Sequence, residues 1–274
     1  MDVRLIASDL DGTIIRADGS ISGRTIEAFG AARDAGIHIV FVTGRPVRWL
    51  EPVRSAFGHL GTVICSNGAV LYDLEAEKLL SAATIAPQSL LTAQELILGA
   101  EPSATFAAET TRGLHLGQGF AEDSASARLG EFESLDLRSA RLATDGVVKF
   151  LAKSRTRSSD DFMAAVEPAL GRLVSVTHSA FDVALLEMAH VDVNKSVALA
   201  AYAAGLGISA DQVAAFGDMP NDLQMLAWAG HGYAMASGHP AALAAAAYRA
   251  PGVEQDGVAR ILEDLLAGRR QQAR

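Results

Sequence analysis

At 274 residues the chain is long for one domain, comfortable for two, and able to bury a sizeable core. Half of its residues are hydrophobic, and its formal charge of −9 disfavours nucleic acid and anionic membranes as partners. That charge does not exclude small anionic substrates, because a few local cations can outweigh the mean field. A single cysteine, Cys65, excludes an internal disulfide. With no signal-peptide pattern and no apolar run near the ~18 residues needed to span a bilayer, a cytoplasmic protein with no membrane partner is expected.

The first stretch predicts β-α-β-α-β. Residues 3–7 form a short apolar run before a turn at Asp11-Gly12. Ser22 is a candidate N-cap for a helix carrying Ile26, Phe29, Ala32 and Arg33, ending by Gly36. Residues 37–42 are almost wholly apolar, as buried parallel strands are when helices cover both faces. Pro46 is placed in the first turn of a second helix, where its missing N–H costs little. Residues 60–65 give a third strand, with Cys65 a buried small hydrophobe and not a nucleophile.

After Asn67-Gly68 the rhythm changes. A hairpin is expected over 69–72 and 79–84, a helix from Pro87 through Leu98, and two short strands across 105–116 around Arg112-Gly113. Residues 117–139 are small and polar, without a pattern. Strands at 147–152, 173–177 and 183–187 surround a helix at 159–170. From Val193 the α/β alternation returns. Helices are expected at 195–204, 221–229, 240–248 and 258–266, strands at 213–216 and 232–235, and a frayed basic tail at Arg269, Arg270 and Arg274. The fold class is therefore α/β: a doubly wound parallel sheet built from residues 1–83 and 188–274, with an α+β unit inserted at 84–187.

Four places carry chemistry: Asp9-Leu10-Asp11-Gly12-Thr13, Thr43-Gly44-Arg45, Asn194-Lys195, and Gly217-Asp218-Met219-Pro220-Asn221-Asp222. Each alone has an ordinary reading as a turn, a strand end or a helix start. Lys195 is less ordinary, since a cation at a helix N-terminus opposes the macrodipole. Three of the four lie at the carboxyl ends of predicted strands, where open α/β sheets bind ligands. The set suits phosphoryl transfer. Asp9 can act as nucleophile if a cation masks its repulsion from phosphate. Asp9 and Asp218 offer hard oxygens to Mg²⁺. Asp11 can offer its carbonyl to the metal and its side chain as general acid. Thr43 and Gly44 offer a hydroxyl and an N–H to phosphoryl oxygens, and Lys195 a fixed positive charge.

In these motifs, with Ser66-Asn67-Gly68-Ala69 and Asp256-Gly257-Val258-Ala259, the chain resembles the haloacid dehalogenase superfamily phosphatases, most closely the Cof-type subgroup with an α/β cap after the third core strand. The match covers both core halves; the insert matches in layout only. The resemblance implies a Rossmann-type core, a nucleophile at Asp9 and an acid/base at Asp11. It implies phosphate contacts from Gly12, Thr43, Gly44, Lys195 and Asn221. It implies Mg²⁺ on Asp9, the Asp11 carbonyl and Asp218, with Asp222 supporting the metal site. One departure is Ser196, where the subgroup usually has Gly.

The expected function is a Mg²⁺-dependent phosphatase of small phosphorylated metabolites, sugar phosphates foremost, acting through an aspartyl-phosphate. The alternatives are a sugar-phosphate mutase and a catalytically dead phosphometabolite-binding protein. The expected partner is a small phosphate ester, and monomer and dimer are both open. The insert is expected to act as a mobile cap, hinged near Ala83-Thr84 and at 187–189, with Glu109, Arg112, His115 and His178 as candidate specificity residues. The seven histidines lack zinc spacing, and no P-loop, G-x-G-x-x-G or G-x-S-x-G is present.

Overall fold

The computed structural model describes residues 2–58, 61–122, 132–134, 140–179 and 183–272. It divides into two compact units, Met1–Ser81 with Asn194–Arg274, and Ala82–Val193. In chain order the elements are β1 (Leu5–Ser8), α1 (Gly23–Asp34), β2 (His38–Val42), α2 (Glu51–Phe57), β3 (Thr62–Cys65), β4 (Val70–Asp73) and β5 (Lys78–Ala82). Next come α3 (Pro87–Ala100), β6 (Thr105–Thr110), β7 (Leu114–Leu116), β8 (Phe132–Ser134), α4 (Ala140–Asp145), β9 (Val147–Lys153), α5 (Ser159–Leu170), β10 (Val174–Thr177) and β11 (Leu185–His190). The chain closes with α6 (Lys195–Gly205), β12 (Val213–Gly217), α7 (Leu223–Trp228), β13 (His231–Met235), α8 (Pro240–Ala245), β14 (Tyr248–Ala250) and α9 (Gly257–Gln272).

The first unit carries a sheet of order β14-β13-β12-β1-β2-β3-β4-β5. From β14 to β3 all neighbours are parallel, and β4 turns back antiparallel on β3. One face buries Leu5, Val40, Val42 and Ile64 with Leu199 of α6 and Met225 of α7. Elsewhere Phe41 of β2 meets Phe29 of α1 and Phe57 of α2, with ring centroids 5.0–5.5 Å apart. Ser22 caps a helix as the sequence suggests, and Asn194 caps another. Ser22 Oγ accepts from the Thr25 N–H at 3.1 Å, and Asn194 Oδ1 from the Val197 N–H at 2.9 Å.

Several elements differ from expectation. Pro46 is extended and precedes one 3₁₀ turn, Val47–Trp49, so α2 starts only at Glu51. The helix expected at 221–229 begins as a 3₁₀ turn, Pro220–Asp222. The helix expected at 240–248 ends at Ala245, and Tyr248 joins a sixth parallel strand. The alanine run favours helix locally, but ladder pairing of Tyr233 with Tyr248 and their ring stacking at 5.2 Å override it. The C-terminal helix continues to Gln272, and the Arg269 guanidinium donates to the Val3 carbonyl in place of the expected fraying. Leu60 and Arg274 lie outside the described residues.

The second unit has a sheet of order β10-β11-β9-β6-β7-β8. Its pairs are antiparallel except β7 with β8. On one face Phe106, Phe150 and Met188 pack with Ile97 of α3 and with Phe162 and Val166 of α5. Part of the patternless stretch forms β8, just ahead of α4; residues 123–131 and 135–139 lie outside the described residues. The second crossing, expected at 187–189, falls inside β11, and the compact unit extends to Val193. Among the described residues no helix is long and apolar enough to cross a membrane.

Candidate active site

Successive βα units run outward from β1 through β2 and β3 in one direction, and from β12 through β13 and β14 in the other. The winding reverses between β1 and β12, where such sheets open a crevice beyond their strand ends. Asp9 follows β1 directly, Asp218 follows β12, and Thr43 follows β2. The backbone N–H of Asp9 donates to the Phe216 carbonyl at 2.9 Å, so the two strand ends are tied together. Gly12 takes φ +75°, and a Cβ there would lie 2.2 Å from Asp218 Oδ2. Only glycine lets the turn after β1 pass that close to the carboxylate.

Lys195 is wholly buried at the first position of α6. Its Nζ donates to Asp9 Oδ1 at 2.5 Å and to Asp222 Oδ1 at 2.7 Å. The other Asp222 oxygen accepts from the N–H groups of Asp218 and Met219 at 2.9 and 3.0 Å. Both Asp222 oxygens are thus engaged, and Asp222 fixes Lys195 and the Asp218 loop together. Thr13 Oγ1 lies 3.5 Å from Asp9 Oδ2 and 3.3 Å from Asp218 Oδ1, bridging the two carboxylates.

Oxygens of Asp9, Asp218 and Asp222 lie within 4.8 Å of one another, a buried group that can hold a metal ion. One ammonium against three buried carboxylates leaves negative charge uncompensated, and a hard divalent cation fits an all-oxygen donor set of this kind. Burial of this group shows in the acidities. Burial, reinforced by Asp9 and Asp222, pushes Asp218 up to about 9. Burial likewise raises Asp9 to about 7, although Lys195 pulls against it. For Lys195, burial works to lower the value, but Asp222 and Asp9 outweigh it and the net direction is upward.

The remaining expected residues are distributed around this group. Thr43 is buried, and its Oγ1 accepts from the Arg45 N–H at 3.0 Å; Gly44 beside it is half-buried. Asn221 is buried, with Nδ2 donating to Asn67 Oδ1 at 3.0 Å. The Asp11 side chain stands apart from the carboxylate group. It is exposed and held by Arg45, whose Nε and Nη2 donate to its two oxygens at 2.8 and 2.6 Å. Arg45 Nη1 also donates to the Trp49 carbonyl at 3.0 Å. Arg45, Thr13 and Asn67 all stand in the sequence motifs, but their contacts depend on how separate loops meet. The signal for Arg45 is a cation three residues beyond a strand end.

The four candidate specificity residues of the insert do not share one surface. Glu109 pairs in register with Lys149, whereas His115 pairs with Ala108 and so belongs to the opposite sheet face. Arg112 is exposed in the turn between β6 and β7, and His178 Nε2 lies 2.9 Å from Asp160 Oδ1. Missed by the sequence reading was Lys149, whose Nζ donates to Glu187 Oε2 at 2.6 Å, with Ser179 Oγ donating to Glu187 Oε1 at 2.6 Å. Lys149 and Lys153 interrupt an otherwise apolar strand, which was the available signal.

A parallel sheet with its carboxylates and lysine gathered at the reversal point defines a class of phosphoryl-handling α/β enzyme. The chain belongs to the haloacid dehalogenase-like hydrolase family, whose model matches residues 6–262. It is a phosphatase of the Cof-type branch. It is similar to the HMP-PP phosphatase of Klebsiella pneumoniae (strain 342), 28% identical over 239 residues, covering 86% of this chain and 85% of that protein. It is also similar to the 5-amino-6-(5-phospho-D-ribitylamino)uracil phosphatase YitU of Bacillus subtilis (strain 168), 26% identical over 267 residues, covering 95% and 96%. Among solved structures, a subclass IIB sugar phosphatase of the superfamily shares the fold at TM-score 0.80 and 18% identity, covering 96% of this chain and 99% of that one.

Proposed function

We propose that the protein is a Mg²⁺-dependent phosphatase of small phosphorylated metabolites, sugar phosphates foremost, working through an aspartyl-phosphate on Asp9. The observation that carries this reading is the buried group at the sheet's reversal point, with Lys195 Nζ 2.5 Å from Asp9 Oδ1 and Asp218 on the adjacent strand end. Mg²⁺, held by Asp9, the Asp11 carbonyl and Asp218 with Asp222 in support, would neutralise charge on the phosphoryl oxygens.

Asp9 attacks phosphorus, the bond to the ester oxygen breaks, and Asp11 gives that oxygen its proton. A water, deprotonated by Asp11, then releases inorganic phosphate and regenerates Asp9. For the first step Asp11 exchanges its Arg45 partner for the ester oxygen. Lys195 orients Asp9, and Gly12, Thr43, Gly44 and Asn221 bind phosphoryl oxygens. The relatives' names span HMP-PP, a ribitylaminouracil phosphate and sugar phosphates, which share a small organic group on a phosphate.

Asp9→Asn tests the nucleophile. Turnover is expected to fall by more than about 10³-fold, and acid-quenched protein to lose covalently bound labelled phosphate, with thermal unfolding intact. A purified variant within about tenfold of wild type sinks the assignment. Phosphate release across a panel of phosphorylated metabolites tests the substrate class, with sugar phosphates expected to be turned over best.

A further inference from the structure

The loop after β3 is unusual. Ser66, Asn67 and Gly68 take φ values of +50°, +56° and +104° in succession. Such a run is costly for residues with a Cβ and persists where surrounding contacts impose it. Here they do. The Ser66 N–H donates to the Arg45 carbonyl and the Asn67 N–H to the Thr43 carbonyl, both at 3.0 Å. A Cβ on Gly68 would lie 2.5 Å from the carbonyl oxygen of Asn194, the residue before Lys195. Asn67 is therefore clamped where three loops of the site meet, and its side chain faces the fourth through Asn221.

The amide pair has an unsatisfied member. Asn221 Nδ2 donates to Asn67 Oδ1, and Asn221 Oδ1 is left buried with no hydrogen-bond partner in a residue only 6% exposed. A buried amide oxygen without a donor is disfavoured. If Asn221 contacts phosphate, an oxygen is also the wrong atom to present, because it and a phosphoryl oxygen are both acceptors. Turning both amides over resolves the two problems together. Asn67 Nδ2 then donates to Asn221 Oδ1, and Asn221 Nδ2 takes the place the orphaned oxygen now occupies.

We propose that Asn67 is a positioning residue, which sets the amide of Asn221 so that an N–H, and not a carbonyl, is presented to the phosphoryl group. The inference rests on the reading of Asn221 as a phosphate contact. The pairing asks for a side chain at position 67 that can both accept and donate and that tolerates a left-handed backbone, and asparagine meets both demands.

The test is a double-substitution cycle on the full chain, read by equilibrium binding of inorganic phosphate in Mg²⁺. Asn67→Asp keeps the size and the backbone tolerance but can only accept, so it holds Asn221 Nδ2 away from phosphate. It is expected to weaken phosphate at least about tenfold, and Asn67→Gly, which suits the positive φ and frees the amide, by a smaller factor. In an Asn221→Ala background Asn67→Asp is expected to add less than about twofold. A loss of the same size in that background marks a through-space charge effect and overturns the proposal. If Asn221→Ala weakens phosphate while neither Asn67 substitution does, the positioning role fails and the phosphate contact stands. If Asn221→Ala leaves phosphate affinity unchanged, the contact itself fails and the pairing falls with it. A structural role alone would lower the unfolding temperature of Asn67→Gly without moving phosphate affinity, which also overturns the proposal.

Discussion

Both units bury lysine among carboxylates, but with different balances. In the first, Lys195 stands at a helix N-terminus against Asp9, Asp218 and Asp222, one cation to three anions. In the second, the strand register places Glu109, Lys149, Lys153 and Glu187 on one face of the sheet, two of each sign, with Lys149 and Glu187 in direct contact at 2.6 Å. A balanced group can be complete in itself. A group short of positive charge is costly to bury and makes sense where a cation is to be received. The difference separates a set of side chains organised around missing charge from one organised around its own ion pairs.

The largest expected effect comes from worsening the imbalance. Lys195→Met leaves three buried carboxylates without their ammonium. Turnover is expected to fall more than about 10³-fold, and denaturant unfolding in chelator to show a loss of about 3–5 kcal/mol. Near-wild-type stability without metal would mean that the carboxylates are not held together as described.

Disturbing the balanced group is expected to be severe for stability and reparable. Lys149→Met strands Glu187 and is expected to cost about 3–5 kcal/mol, whereas Lys149→Met with Glu187→Leu recovers most of it. No second substitution is expected to restore turnover to Lys195→Met. Failure of the double variant to recover in equilibrium unfolding would show that the pair is bound into more of the sheet than its direct contact.

The same contrast explains what could be read from sequence. Core residues such as Asp9, Thr43 and Asp218 sit where a strand's apolar run stops, so each is visible as a break in a pattern. Lys195 is visible because a helix N-terminus disfavours a cation. Lys149 sits inside a strand, where its meaning depends on which strand lies beside it, and that is set by pairing distant in sequence. Tyr248 reads as helix for the same reason, since helix propensity is local and its pairing with Tyr233 is not. The role of Arg45 is not legible in its motif, because its contact with Asp11 depends on how two loops approach.

Two glycines sharpen the comparison at a smaller scale. Gly12 and Gly146 have similar positive φ, +75° and +71°, so alanine costs each about 1–2 kcal/mol of backbone strain. Their surroundings differ. A Cβ on Gly12 meets Asp218 Oδ2 at 2.2 Å, whereas one on Gly146 meets the tip of Thr84, Cγ2, at 2.9 Å. Gly12→Ala is expected to lower turnover about 10²-fold and Gly146→Ala less than about threefold, at comparable loss of melting temperature. Equal turnover in the two variants would remove the close approach of the Asp9 loop to Asp218 from the description.

The smallest expected effect is a pH dependence, and its sign follows from burial of the carboxylates. Burial raises Asp218 to about 9 and Asp9 to about 7 in the folded chain, against an ordinary carboxylate near 4 when unfolded. Between those limits the folded protein binds more protons than the unfolded one, so these groups make the metal-free protein less stable as pH rises. A divalent cation acts in the opposite sense. At low pH it must displace the protons, and at high pH it meets carboxylates already ionised. The gain in melting temperature from a fixed millimolar level of Mg²⁺ is therefore expected to be a few degrees larger at about pH 9 than at about pH 6. Asp218→Asn, which cannot ionise, should reduce that dependence to the part Asp9 contributes. Lys149→Met should leave it unchanged, because the balanced group of the second unit has no missing cation to receive. A Mg²⁺ effect that is independent of pH, or that is undiminished in Asp218→Asn, would put the metal elsewhere.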